Sequence, residues 1–335
     1  MSRTPPIRRS ARSRADACGC VTPRNPTPSL RIAPPPTDNL LGGLWGGGEA
    51  HRSPPGADGA PPVDTVGSVT GAEKSPSPSD PDTRTDAQLA GDLVTGAGEM
   101  AARMLRAGLT VDEKTSISDV VSDADKAAEQ WIVDELARVR PDDGVVGEEG
   151  AAAPGRRTWI IDPVDGTYNF VSGLPAWCSA LGLVDGDELL LGAVYQQTTG
   201  ELWVGGPGHP TTLNGVPVPP VQDAELATIS IATYLHPARL AEDAVREPIL
   251  AAIGGAASVR IIGSGSIELA AVSAGRLGVW FHLDTLSWDW LPGAALITAA
   301  GGVVDVFHHN GHRYHMAGPP TAVAQVKRAV LAVGS

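Results

Sequence analysis

From residue 85 onward the apolar positions fall into helical and then alternating rhythms. Leu89, Leu93, Ala97, Met100 and Met104 recur every three or four residues, and Thr85 and Gln88 are spaced as a capping box, so a helix starts near Thr85. A polar loop carrying Lys114 and Asp119 follows. A second helix begins near Ser122, places Ala128, Ile132 and Leu136 on one face, and ends before Pro141. Short strands are expected at 159–161, 180–184 and 189–195, the last two joined by Asp185-Gly186-Asp187. A further strand at 201–204 extends them into an antiparallel meander, and Asn214-Gly215 marks another turn.

The second half changes rhythm. A strand at 228–234, a helix over 237–253 and a strand at 259–262 lead into Gly263-Ser264-Gly265. A helix from Ser266 stops at Gly275, a strand covers 277–283, and another helix follows Trp288-Asp289. A strand at 302–307 and a helix over 320–333 complete the chain, which reads as a layered α+β fold with two β-sheets.

Composition divides the chain unevenly. Residues 1–84 hold 15 of the 29 prolines and little hydrophobic periodicity, so this segment is expected to be a disordered tail. The remainder divides into an N-terminal α+β half, 85–220, and a C-terminal α/β half, 221–335. The tail has ten basic against eight acidic residues and the rest 15 against 30, for net charges of +2 and −15. An acidic surface argues against nonspecific nucleic-acid binding, which depends on neutralising phosphates, and suits recruitment of divalent cations. The Arg-rich start lacks the apolar core of a secretory signal, and no later stretch is apolar enough to span a membrane. Cys18, Cys20 and Cys178 do not form a disulfide framework, which fits a reducing, cytoplasmic location.

Chemistry concentrates in Trp159-Ile160-Ile161-Asp162-Pro163-Val164-Asp165-Gly166-Thr167. Two carboxylates stand three residues apart at the end of an apolar strand. They offer hard oxygen ligands for Mg²⁺, while Gly166 and Thr167 offer backbone amides and a hydroxyl for a phosphate. The same letters also describe an ordinary strand and turn. Glu148 in a Gly-Glu-Glu-Gly loop and Asp289 after Trp288 are the further acids a hydrolytic site needs, although a solvated loop and a helix cap are the commoner fates of such residues.

Taken in order, Gly147-Glu148-Glu149, the run from Trp159 through Thr167 to Tyr168-Asn169-Phe170, and Trp288-Asp289 leading to Ala300-Gly301-Gly302 resemble the inositol monophosphatase family over residues 85–333. The resemblance implies an αβαβα layered sandwich and a Mg²⁺-dependent, lithium-sensitive phosphomonoesterase using two or three ions. It implies that Glu148, Asp162, Asp165, Asp289 and the carbonyl of Val164 hold the metals. Thr167 and the amides of Gly166 and Thr167 would face the phosphate or the attacking water, and Asp125 would pair with Thr167. As a residue, Asp125 also reads as the capping-box acid behind Ser122. The chemistry follows from charge: one ion lowers the pKa of a water, which Glu148 and the Thr167–Asp125 pair orient for direct in-line attack, and a second stabilises the departing alkoxide. A homodimer is a further implication.

Substrate choice is less legible. Gly263 and Ser264 resemble the segment bordering the substrate, beside Asp165, Gly166 and Thr167. Seven residues before Asp289 this chain has His282, where inositol-preferring members place a glutamate, and imidazole cannot replace a carboxylate as a charged acceptor. Inositol monophosphate or a related polyol or sugar phosphate is the first expectation. Histidinol phosphate and a 3′(2′),5′-bisphosphate nucleotide are alternatives, and a noncatalytic phosphate-binding regulator is the alternative of another class. Trp290 is expected in the core, Cys178 as a buried small apolar side chain, and His308, His309, His312 and His315 on a hairpin whose alternation keeps them off a single ion.

Overall fold

The computed structural model describes residues 30–32, 82–116 and 119–333, with side chains described for 82–109 and 122–333. Its elements are β1 (Leu30–Ile32), α1 (Asp86–Ala107), β2 (Leu109–Ser116), β3 (Asp119–Ser122), α2 (Asp123–Val139), β4 (Gly144–Gly147), β5 (Ala152–Ala153) and β6 (Arg157–Asp165). There follow α3 (Thr167–Val171), β7 (Cys178–Asp185), β8 (Glu188–Gln196), β9 (Glu201–Gly206), β10 (His209–Leu213), β11 (Val216–Pro217) and β12 (Ser230–Ala232). The chain closes with α4 (Asp243–Ile253), β13 (Ser258–Arg260), α5 (Gly265–Ser273), β14 (Val279–Leu283), α6 (Ser287–Ala299), β15 (Val303–His309), β16 (His312–Gly318) and α7 (Pro320–Leu331).

Two sheets carry the fold. The larger has eight strands in the order β11-β10-β9-β8-β7-β6-β4-β5, and the smaller has five in the order β13-β12-β14-β16-β15. Period-two alternation assigns their faces: Leu181 and Leu183 of β7 pack with Leu89, Leu93, Ile132 and Leu136 of α1 and α2, whereas Cys178 and Ala180 pack with Ile267, Ala270 and Leu296 of α5 and α6. On the second sheet Trp280 faces α5 and α6, and Val279 and Phe281 face α4 and α7. The layers therefore run α1/α2, sheet, α5/α6, sheet, α4/α7, the αβαβα sandwich.

The middle helices are apolar all round because both faces are covered. Trp290, Ala294, Ala295, Leu296 and Ile297 of α6 are all buried. Close approach of α6 is permitted by a row of glycines in cross-strand register, Gly182 opposite Gly192 and Gly192 opposite Gly205. A Cβ on Gly192 would lie 2.0 Å from the carbonyl oxygen of Pro292, so a side chain there would push α6 off the sheet.

Two sequence expectations change. The segment expected as a polar loop forms the hairpin β2–β3, where Thr110, Val111, Thr115, Val120 and Val121 favour extended backbone over the loop that polarity suggested. The side chains of Lys114 and Asp119 lie outside the described residues. The helix expected over 237–253 is a 3₁₀ turn, Pro237–Ala241, then α4, broken at the extended Glu242; none of residues 237–241 is buried, so no packing holds an α-helix there. Within the segment expected to be a tail, Leu30–Ile32 pairs antiparallel with β2, while Cys18 and Cys20 lie outside the described residues.

Candidate active site

The site starts from an irregular strand end. In regular β-structure residues 162 and 165 would face opposite sides, because their separation is odd. The β6–β7 register shifts between Asp162 and Asp165, at Pro163-Val164, and the hydroxyl of Ser179 donates to the Pro163 carbonyl at 2.7 Å. Pro163 has no N–H for the ladder, so the bulge falls where pairing is already interrupted. The odd residue turns both carboxylates to one side. Gly166 then adopts φ 87°, and a Cβ there would sit 3.0 Å from the carbonyl oxygens of Ala176 and Gly263, so glycine is required before Thr167 opens α3.

Asp162, Asp165 and Asp289 place carboxylate oxygens within 4.8 Å of one another. Asp289 comes from the first turn of α6, in the middle layer. Asp165 is held by the amide of Ser266 at 2.6 Å and the hydroxyl of Ser264 at 2.9 Å, both on its Oδ2. Asp162 is 1 % exposed, and neither carboxylate oxygen has a hydrogen-bond partner among the described residues. Burial, followed by the charges of Glu148, Asp165 and Asp289, holds its pKa well above the ordinary 3.8. A buried carboxylate with no donor, beside other carboxylates, fits a cation as its missing partner.

Glu148 follows β4, which runs parallel to β6, and its amide donates to the Ile161 carbonyl at 3.1 Å. It lines the same cavity as Asp165 and Asp289 but is not part of the tight three-carboxylate group. Its loop is clamped from below by Glu129 of α2, whose Oε2 accepts from the Glu149 amide at 2.8 Å and Oε1 from the Ala151 amide at 2.9 Å. Glu129 was missed by sequence reasoning. Its signal was spacing: Asp125, Glu129, Ile132 and Leu136 share one helical stripe, and two acids on a buried face need a reason.

Both readings of Asp125 hold together. Oδ2 accepts from the amide of Ser122 at 3.0 Å and from its hydroxyl, completing the capping box, while Oδ1 lies 3.1 Å from Oγ1 of Thr167. Burial raises its pKa to about 7, with Glu149 and Glu148 adding to the shift. Thr167 Oγ1 is also 3.0 Å from the Val164 carbonyl oxygen, so a single hydroxyl proton serves two acceptors.

A cavity of about 820 Å³ opens from these acids. Asp165, Gly166, Thr167, Gly263, Ser264 and His282, all expected beside the substrate, line it; Asp162 and Asp125 are buried and are not among the lining residues. The hydroxyl of Ser264 is engaged by Asp165, so Ser264 acts toward the acid cluster. Asn169 ties α3 to the opposite wall, its Nδ2 donating to the carbonyls of Ala176 at 2.7 Å and Ile262 at 2.9 Å. The lining also includes Tyr234, His236, Trp280 and His282, of which only His282 had been singled out. Burial, with His315 and Arg239 nearby, pushes the His282 pKa down to about 4, and its Nδ1 is 2.9 Å from Oγ1 of Thr285. Glu268, also unforeseen, accepts from the Ile262 amide at 2.7 Å and from Nε1 of Trp280 at 3.1 Å; burial raises its pKa to about 8.

Other expected placements agree. Trp290 is buried and stacks on Trp280 with ring centroids 5.5 Å apart. Cys178 is fully buried, and burial together with Asp165 keeps it a thiol. His309 reaches the Val333 carbonyl, His312 reaches Asp284 and His315 packs on Trp290, so the hairpin histidines disperse.

Comparison with known proteins matches this arrangement. The inositol monophosphatase family matches residues 82–332. Inositol monophosphatase 3 of Solanum lycopersicum is 33% identical over 225 residues, covering 64% of this chain and 84% of that protein. A Thermotoga maritima protein named fructose-1,6-bisphosphatase/inositol-1-monophosphatase is 33% identical over 199 residues, covering 59% of this chain and 75% of that one. Among solved structures, the extragenic suppressor protein suhB of Bartonella henselae superposes with a TM-score of 0.66 at 25% identity, covering 74% of this chain and 98% of that one. With the layered sandwich, the acid cluster and the match over residues 82–332 in agreement, the chain belongs to the inositol monophosphatase family of metal-dependent phosphoric monoester hydrolases.

Proposed function

We propose that this protein hydrolyses the phosphate monoester of a small alcohol by direct in-line attack of water, with Mg²⁺ as its metal. The observation that carries the proposal is the donorless, buried carboxylate of Asp162 within 4.8 Å of the oxygens of Asp165 and Asp289. Asp162, Asp165, Asp289, Glu148 and the Val164 carbonyl would hold the ions. Bound there, Mg²⁺ supplies positive charge to the attacking and leaving oxygens of a dianion that otherwise repels its nucleophile.

The chain's own groups do the rest. The backbone amides of Gly166 and Thr167 bind phosphate oxygens. Thr167 donates its proton to Asp125 or Val164, which leaves its oxygen to accept a hydrogen bond from the attacking water. Glu148, held by Glu129 through its loop, aligns the same water and takes its proton. No nucleophilic side chain is needed, so phosphate leaves without a phosphoenzyme. Retention of every acid in the cluster disfavours a purely regulatory, phosphate-binding role. The cytoplasmic location and the homodimer remain parts of this proposal.

The test is phosphate release with and without Mg²⁺, for the wild type and Asp165→Asn. Near wild-type, Mg²⁺-dependent turnover in Asp165→Asn would refute the site assignment.

A further inference from the structure

We infer that the alcohol carrying the phosphate bears a planar aromatic ring and no second anionic group. The inference rests on the phosphomonoesterase reading above and concerns the part of the cavity lining formed by Tyr168, Tyr234, His236 and His282.

Rings meet edge-on along that part. Tyr234 stands edge-on to His282 at 5.8 Å and to His236 at 6.3 Å, and His282 stands edge-on to Trp280 at 5.7 Å. Tyr168, 55 % exposed, lines the mouth. The chain has only four tyrosines, and two of them face this one cavity. Edge-to-face and offset contacts reward a flat, apolar guest, and Leu235, Pro237 and Ala238 extend the same apolar wall.

A polyol finds little there. Its hydroxyls need acceptors, and a buried hydroxyl left without one weakens binding by roughly tenfold or more. Of the carboxylates lining the cavity, Glu148, Asp165 and Asp289 belong to the metal end. Glu268 already accepts from the Ile262 amide and the Trp280 indole, and Nδ1 of His282 is engaged by Thr285. Trp280, 1 % exposed and stacked on Trp290, has its N–H turned to Glu268 and presents no polar atom to a guest.

A second phosphate finds still less. Among the described residues lining the cavity there is no Lys or Arg, and Arg239 nearby is engaged by Asp284 at 2.9 Å. A distal dianion would sit in an acidic cavity with no cation to receive it.

The experiment compares kcat/KM for Mg²⁺-dependent phosphate release by the full chain from benzyl phosphate and 2-(imidazol-4-yl)ethyl phosphate, from inositol 1-phosphate and glycerol 2-phosphate, and from fructose 1,6-bisphosphate. All are alkyl esters, so leaving-group basicity does not bias the comparison as a phenyl ester would. The better ring-bearing monoester is expected to exceed each polyol phosphate and the bisphosphate by at least about tenfold. A smaller margin, or preference for a polyol phosphate or the bisphosphate, overturns this inference and leaves the phosphomonoesterase reading standing. No Mg²⁺-dependent release from any of the five overturns that reading instead. Tyr234→Leu and His282→Glu are each expected to lower the ring-to-polyol ratio at least fivefold; a ratio unchanged in both overturns the assignment of the ring preference to these side chains.

Discussion

Replacing Asp162 with Asn sets stability against function in a way that reports directly on the acid cluster. In the metal-free protein the Asp162 carboxylate is buried, has no donor, and lies within 4.8 Å of two other carboxylates. At an effective dielectric of 20, each fully ionised pair at that separation costs about 3.5 kcal/mol. Proton uptake relieves part of this cost, because burial and the neighbouring charges hold the Asp162 pKa well above its ordinary 3.8. An Asn amide recovers the electrostatic part and loses about 1–3 kcal/mol to imperfect hydrogen bonding, for a net stabilisation of about 3 kcal/mol. At roughly 2–4 °C per kcal/mol for a domain of this size, metal-free Asp162→Asn should melt at least about 6 °C above wild type at pH 8. The pH dependence has a definite sign. The folded state keeps a proton that the unfolded chain releases above about pH 4, so the contribution of Asp162 to metal-free stability is fully present below that pH and is lost as pH rises through the raised folded pKa. The difference between variant and wild type should therefore shrink toward pH 4. Mg²⁺ should raise the wild-type melting temperature strongly and the variant's little, and the variant should lose turnover. Thermal melts with EDTA or Mg²⁺ at pH 4.5 and pH 8 decide the matter. A lower metal-free melting temperature for the variant at pH 8, or an undiminished Mg²⁺ response, would refute the reasoning.

Glu148→Gln should reduce kcat at least about a hundredfold while much of the Mg²⁺-induced melting shift remains, because the three-carboxylate group is intact; equal loss of both would make Glu148 chiefly a ligand. Glu129→Gln leaves one of two loop amides facing a donor, so a loss of about 1–3 kcal/mol in stability, faster amide exchange at residues 147–151 and a fall in kcat with little change in KM are expected; unchanged exchange would remove its positioning role. Gly192→Ala drives a Cβ into the Pro292 carbonyl and should cost about 3 kcal/mol by melting, with loss of activity because α6 carries Asp289; a melt within about 2 °C of wild type would show that α6 yields easily.

Much of the site was legible because its chemistry is carried by residue type at fixed spacing. Asp162, Asp165, Glu148 and Asp289 could be picked out one by one, and the capping boxes at Thr85 and Ser122 announced α1 and α2. The hairpin β2–β3 was misread because polarity was weighed above the β-branched residues that favour extended backbone. The helix over 237–253 was overextended because periodicity cannot tell a stripe that packs from one that faces solvent. Tyr234, His236, Glu268 and Trp280 escaped notice because no local pattern ties them to the acids; the segment after β12, α5 and β14 bring them to the cavity from three separate places in the chain.

By itself the sequence determined the inventory: an acidic, layered α+β chain with Mg²⁺-type ligands and a phosphate-binding turn, since ligand hardness, turn chemistry and hydrophobic period are properties of residues and their neighbours. Only the tertiary structure decided convergence. The bulge at Pro163-Val164 turns Asp162 and Asp165 to one side, the glycine row lets α6 bring Asp289 within 4.8 Å of them, and the second sheet closes the cavity with rings. Those outcomes depend on contacts between residues about a hundred positions apart, and repulsion among the gathered carboxylates is sustained by the packing of both sheets against the middle helices.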